Sequence, residues 1–141
     1  MNKRAVVTGA GGFIGHHLVS YLKQCDYWVR GVDLKQPEYE SSKADEMLIL
    51  DLREFENCLE ATKDMDEVYN LAADMGGIGY ITAFHATIAR NNTLINSHML
   101  ESSRLNNVSR FLYSSSACVY PGYKQELADV TPLKEEDAYP A

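Results

Sequence analysis

The chain has 141 residues, with 13 Lys and Arg against 20 Asp and Glu, for a formal net charge of −7. That length is one domain or a part of one. With 45% hydrophobic and 23% charged residues it has the material for a core, which excludes a disordered, collagen-like or coiled-coil chain, and its acidic balance makes nucleic acid an unexpected partner.

Residues 4–8, Arg-Ala-Val-Val-Thr, read as a short buried strand that runs into glycines. Apolar residues at Phe13, Ile14, Leu18, Tyr21 and Leu22 predict a helix over 13–23 with that stripe inward. Strand character returns at 27–32, and the polar stretch 35–45, with Pro37 and Ser41-Ser42, predicts a loop. A third strand is expected at 47–50 and a short helix over 53–63, with Phe55, Leu59 and Thr62 on one face. Residues 67–71 read as a fourth strand, and the glycines of 76–79 as a loop. A helix from about 83 to 105 carries Phe84, Ile88, Ile95 and Met99 on one stripe. Asn92 falls on that stripe, where a polar group needs a partner, so it is either a core hydrogen-bonder or a ligand contact. Residues 110–113 read as a fifth strand, and the chain is irregular from Pro121 onward.

Strands alternating with helices, without hairpin signals, predict an α/β fold: a doubly wound parallel sheet of the Rossmann type. The chain reaches Pro140-Ala141 with no closing helix or strand, so 1–141 is expected to be an incomplete domain. Cys25, Cys58 and Cys118 are odd in number and far apart, and the four histidines lack zinc-ligand spacing, so neither a disulfide framework nor a metal site is expected. Thr8 and the glycines cut the first apolar run short of a signal peptide's ~7–15 residues, and no stretch nears the ~18 of a membrane span. A reducing, cytoplasmic setting away from membranes is the expectation.

Between the first strand and the first helix stands Thr8-Gly9-Ala10-Gly11-Gly12-Phe13-Ile14-Gly15. Gly9 suits a tight turn, Gly12 close approach of the backbone to a pyrophosphate, and Gly15 close helix–strand packing. The free N–H groups of the helix's first turn, at Phe13 and Ile14, suit a diphosphate. Asp33, eighteen residues after Gly15, is placed to accept ribose hydroxyls and repel a 2′-phosphate, favouring NAD over NADP; otherwise it caps a turn. Asp51, followed by Leu52, is either an adenine-edge contact or the N-cap of the next helix. Cys118, read alone, is either a small buried hydrophobe or an acid/base.

These stretches, with Asn70-Leu71-Ala72-Ala73 and 111–120 (Phe-Leu-Tyr-Ser-Ser-Ser-Ala-Cys-Val-Tyr), resemble the extended short-chain dehydrogenases/reductases that act on nucleotide sugars. The runs Ala73-Asp74-Met75-Gly76-Gly77, Asn91-Asn92-Thr93 and Ser116-Ala117-Cys118 narrow the resemblance to the GDP-mannose 3,5-epimerases. The resemblance implies an isomerase that holds NAD, oxidises C4 of the sugar transiently, exchanges protons at C3 and C5, and re-reduces C4. It implies cofactor contacts at Leu71, Ala72, Ala73, Asn92 and Ser114, sugar contacts at Gly76, Gly77, Ser116, Ala117 and Cys118, and catalysis by Ser116 and Cys118. Ser116 and Cys118 share a side if their segment stays extended.

The same resemblance implies a GDP-mannose-like substrate and a homodimer at full length, with the substrate-binding domain outside this chain. Tyr120-Pro121-Gly122-Tyr123-Lys124 matches the Tyr-x-x-x-Lys pattern of the family's base, but Pro-Gly after a strand makes a turn, so the two are not stacked on a helix. The fragment is therefore expected to bind NAD without completing the reaction. The alternatives on this scaffold are another sugar-nucleotide 4-epimerase or 4,6-dehydratase, and a non-catalytic NAD-binding module.

Overall fold

A computed structural model describes residues 2–38, 40–116, 119–124 and 132–138. Five strands, β1 (Arg4–Thr8), β2 (Trp28–Asp33), β3 (Glu46–Ile49), β4 (Glu67–Asn70) and β5 (Arg110–Tyr113), form one sheet. All four pairings are parallel, in the order β3-β2-β1-β4-β5. The helices are α1 (Phe13–Gln24), α2 (Phe55–Thr62) and α3 (Ile78–Leu105), with short 3-10 turns at Gly122–Lys124 and Glu135–Ala138.

Strand alternation splits the core in two. Ala5 and Val7 of β1 face α1 and meet its Val19 and Leu22. Val6 and Val68 face the other way and pack with Cys58 and Ala61 of α2 and Ile95 and Met99 of α3. With both faces covered, β1 has to be apolar throughout its middle, hence Ala-Val-Val. The chain winds outward from β1 through β2 to β3, then returns to β4 on β1's other side and continues to β5. The crevice beyond the carboxyl ends of β1 and β4 is therefore the switch point, where open α/β sheets take ligands.

Three elements differ from the periodicity. In α2 the buried face is Cys58, Ala61 and Thr62, and Phe55 and Leu59 are half-buried, because the small residues let the helix lie close against the sheet. In α1 the buried residues are Gly15, His16, Val19 and Leu22, while Phe13, Ile14 and Tyr21 are exposed. A glycine sets this face: Gly15 lies so close to the backbone at Gly9 that a Cβ on it would sit 2.1 Å from the Gly9 carbonyl oxygen. In α3 the helix begins at Ile78, ahead of the predicted start, and leaves helical geometry at Phe84 (φ −122°, ψ 24°). Phe84 is exposed in consequence, whereas Ile88, Ile95 and Met99 are buried as their spacing predicts.

At the base of the sheet the Glu67 carboxylate is buried. Oε1 accepts from Lys3 Nζ at 2.9 Å and lies 3.6 Å from Arg110 Nη1; Oε2 accepts from the Tyr69 hydroxyl at 2.9 Å and from that of Tyr27 at 3.4 Å. Arg30 Nη1 donates to the carbonyls of Glu60, Ala61 and Lys63, supplying a cation where the end of α2 leaves carbonyls unpaired.

Candidate functional site

Thr8, the last residue of β1, is fully buried, and its hydroxyl is used to capacity. It donates to Asn70 Oδ1 (2.9 Å) and accepts from the main-chain N–H of Leu71 and of Ala72 (3.0 Å each). Asn70 in turn donates through Nδ2 to Asn96 Oδ1 of α3 at 2.9 Å. This ladder joins β1, β4 and α3 and sets the direction in which the chain leaves β4. Gly9 follows at φ +70°, a left-handed conformation that suits glycine. The Gly12 N–H then closes the turn on the Gly9 carbonyl at 3.0 Å.

Beyond the turn opens a cavity of about 670 Å³. Gly9, Gly12, Asp33, Asp51, Leu52, Leu71, Ala72 and Ala73 line it. The other residues assigned to the cofactor stand differently. Gly15 is buried behind the turn; Phe13 and Ile14 are 77% and 69% exposed at the start of α1, so what they offer a ligand is first-turn N–H groups. Asn92 has both side-chain groups bonded to the main chain of Asp74, accepting its N–H at 2.7 Å and donating to its carbonyl at 3.1 Å. Ser114 is exposed, and its N–H reaches the Asn70 carbonyl at 3.3 Å.

Asp33 Oδ2 accepts the Gly11 N–H at 2.9 Å and Oδ1 the Lys35 N–H at 3.2 Å, so it does cap a turn. A carboxylate has about four acceptor sites, so its place in the cavity wall leaves acceptors for a ligand's hydroxyls. Asp51 is not the N-cap of α2; that residue is Glu54. Its carboxylate instead accepts from the Arg53 side chain through both oxygens, and the hydrogen bonds from Arg53 hold it below the ordinary carboxylate range. Leu52 is kept in place by the buried Cys58, whose thiol donates to the Leu52 carbonyl at 3.2 Å and is pushed up to about 12 by burial.

Of the residues expected at the sugar, Gly76 lies under the Tyr80 ring and Gly77 is the N-cap of α3. Ser116 is exposed and beyond β5, which ends at Tyr113; the Val119 N–H donates to its carbonyl at 3.2 Å. Strand geometry therefore does not extend to Ser116. Ala117 and Cys118 lie outside the described residues. Residues 122–124 form a 3-10 turn, and Lys124 pairs with Asp137, so Tyr120 and Lys124 do not stack one α-helical turn apart. The cavity also has Lys35, Arg53, Asp74, Tyr80 and Asn91 in its wall, none of which the sequence assigned as a contact: Lys35 counted only as a charge near Asp33, and Asp74 and Asn91 only within the runs that carry the resemblance. The Asn91-Asn92 pair was the available signal, and the half nearer the cavity is Asn91. No helix among the described residues is long and apolar enough to cross a membrane.

The sequence profile of the NAD dependent epimerase/dehydratase family matches residues 5–141. GDP-mannose 3,5-epimerase of Arabidopsis thaliana is 46% identical over 142 aligned positions, covering 99% of this chain and 38% of that protein. Among solved structures, a UDP-galactose 4-epimerase superposes with a TM-score of 0.77 at 30% identity, over 95% of this chain and 43% of its own. MoeE5 in complex with UDP-glucose and NAD superposes at 0.72 with 29% identity, over 84% of this chain and 38% of its own. The chain thus spans under two fifths of the length of the Arabidopsis protein. With a glycine turn at the switch point of a parallel sheet and a profile match over nearly its whole length, the chain belongs to the NAD dependent epimerase/dehydratase family.

Proposed function

We propose that this chain is the dinucleotide-binding part of a nucleotide-sugar epimerase of the GDP-mannose 3,5-epimerase kind, with NAD as its cofactor. The observation that carries the reading is one cavity holding both the Gly9–Gly12 turn and the Asp33 carboxylate at the switch point. The residues fit a dinucleotide. A Cβ on Gly12 would meet only the Gly9 carbonyl oxygen, at 3.3 Å, so the turn's outer side is open for a phosphate to approach the backbone. Asp33 offers a carboxylate to the ribose hydroxyls, and Leu52 and Leu71 give the cavity apolar walls for the adenine.

When bound, NAD supplies reversible hydride removal at C4 of the sugar. With C4 oxidised, the hydrogens on C3 and C5 are both α to a carbonyl, which explains inversion at two centres flanking one carbon. Ser116 is the hydrogen-bond donor to the C4 oxygen, and Cys118 exchanges the ring protons, its thiol's ordinary pKa near 8.5 suiting it to either direction. Gly76 and Gly77 let the loop backbone approach the sugar. The complete protein acts as a homodimer on a GDP-mannose-like substrate. The identity to the Arabidopsis epimerase supports this branch over the 4-epimerases.

Two measurements test the reading. Asp33→Ala removes a charged acceptor, and the affinity for NAD, measured calorimetrically, is expected to fall about 10- to 100-fold; an unchanged affinity removes the cofactor assignment. In the complete protein, Cys118→Ser is expected to abolish deuterium incorporation from solvent at C3 and C5 of GDP-mannose. Undiminished exchange in that variant rules out the assignment of Cys118, and no exchange at C3 and C5 in the wild-type protein favours a simple 4-epimerase.

A further inference from the structure

From Gly76 to Thr87 every residue but Ile81 is exposed, so the link between β4 and the body of α3 is not held by apolar burial. It is held at Asp74, which lines the cavity. Every polar atom of Asp74 has a partner. Its N–H and carbonyl bond to the Asn92 side chain. Oδ2 accepts from Asn91 Nδ2 at 2.7 Å, and Oδ1 from the Tyr80 hydroxyl at 3.0 Å. Asn91 is itself buried, and its Oδ1 accepts from Arg90 Nη1 at 3.1 Å. The Tyr80 ring lies against Gly76, where a Cβ would come within 2.8 Å of it. Tyr80 precedes the break in α3 at Phe84, and Asn91 and Asn92 follow it, so both parts of the helix grip the same residue.

We propose that Asn91, Asn92 and Tyr80 are positioning residues that act through Asp74, clasping the 71–77 loop so that its backbone forms the wall of the dinucleotide cavity. The inference rests on the NAD reading above, and it assigns to the loop a role that hydrogen bonding, not contact with the reacting atoms, carries out. A neutral amide facing a carboxylate is essential to it. Asn91→Asp places a second carboxylate against Asp74, whereas Asn91→Asp combined with Asp74→Asn reverses donor and acceptor and restores the bond.

The test uses the full 141-residue chain, with NAD affinity measured by calorimetry and amide hydrogen exchange measured by NMR. Asn91→Asp is expected to weaken NAD binding about tenfold and to speed exchange at the Asp74 amide, which Asn92 holds, by about the same factor, the loss expected of one buried charge-assisted hydrogen bond. The double variant is expected to recover both. Asn92→Ala, at a half-buried position, is expected to expose the Asp74 amide about tenfold, and serves should Asn91→Asp fail to fold. NAD uptake by the wild type together with wild-type binding in Asn91→Asp, or a double variant no better than the single, overturns the clasp alone. A wild-type chain that takes up no NAD overturns the cofactor reading and this inference with it.

Discussion

Gly15→Ala is expected to destabilise the chain by about 3 kcal/mol, lowering its thermal midpoint and weakening NAD binding together. The added Cβ would lie 2.1 Å from the Gly9 oxygen, 2.7 Å from its carbonyl carbon and 2.9 Å from Ala10 Cα. These are main-chain atoms of the turn, so no side-chain rotation relieves the clash. Either α1 lifts from the sheet, opening the Val19 and Leu22 contacts with β1, or the turn shifts and Gly9 leaves its conformation. Gly12→Ala is the control, because a Cβ there meets only one oxygen at 3.3 Å. It is expected to cost a few tenths of a kcal/mol, about 1–2 °C in the thermal midpoint, while still weakening NAD binding. Thermal unfolding and calorimetric titration of both variants separate the two roles; equal midpoints for Gly15→Ala and wild type would refute the packing account.

Glu67→Gln is expected to cost about 2 kcal/mol at neutral pH, because charge-assisted hydrogen bonds to a buried carboxylate are lost. The Glu67 side chain is 2% exposed and faces two cations, Lys3 and Arg110, whose own side chains are more than half exposed. Burial alone would raise its pKa, but the hydrogen bonds from Lys3 and Tyr69 outweigh it, and the net displacement is downward from the ordinary 4.5. Tyr69 stays protonated throughout, since burial, joined by its bond to Glu67, pushes it up to about 12. A carboxyl whose folded pKa is depressed contributes its full stability above the unfolded value and loses it as pH falls through the folded one. The gap between wild type and Glu67→Gln in urea midpoints should therefore be widest above about pH 5 and narrow as the pH drops below 4.5. A gap independent of pH would show that shape, not charge, accounts for the loss.

The parts of this molecule legible in its sequence are those where one residue type has one physical use. The apolar run of β1, flanked by Thr8 and Gly9, marks a doubly covered strand, and the glycine spacing to Gly15 marks the turn behind it. Asp33 was legible as an acid at the end of β2 with two uses, and the structure shows the turn cap and a place in the cavity wall together. The inward face of α1 was not, because counting apolar residues favours Phe13 and Tyr21, while close backbone contact favours a residue with no side chain. The choice between Asn91 and Asn92 was hidden too. They stand three and four residues after Ile88, both within reach of one helical face, and only the fold decides that Asn91 lines the cavity. Arg53 and Asp74 read as ordinary solvated charges until the fold brings Asp51 and α3 against them.

The Thr8 hydroxyl gives up its one proton and fills both lone pairs, so its rotor has no second setting, and the Asn70 and Asn96 amides beyond it inherit a fixed polarity. A wall built this way is pre-organised: the main chain at Leu71 and Ala72 is already held without a ligand, which lowers the cost of ordering it on binding. On the NAD reading proposed above, the nucleotide meets a rigid mould at this wall, while the arm that follows Gly76 stands exposed beside it.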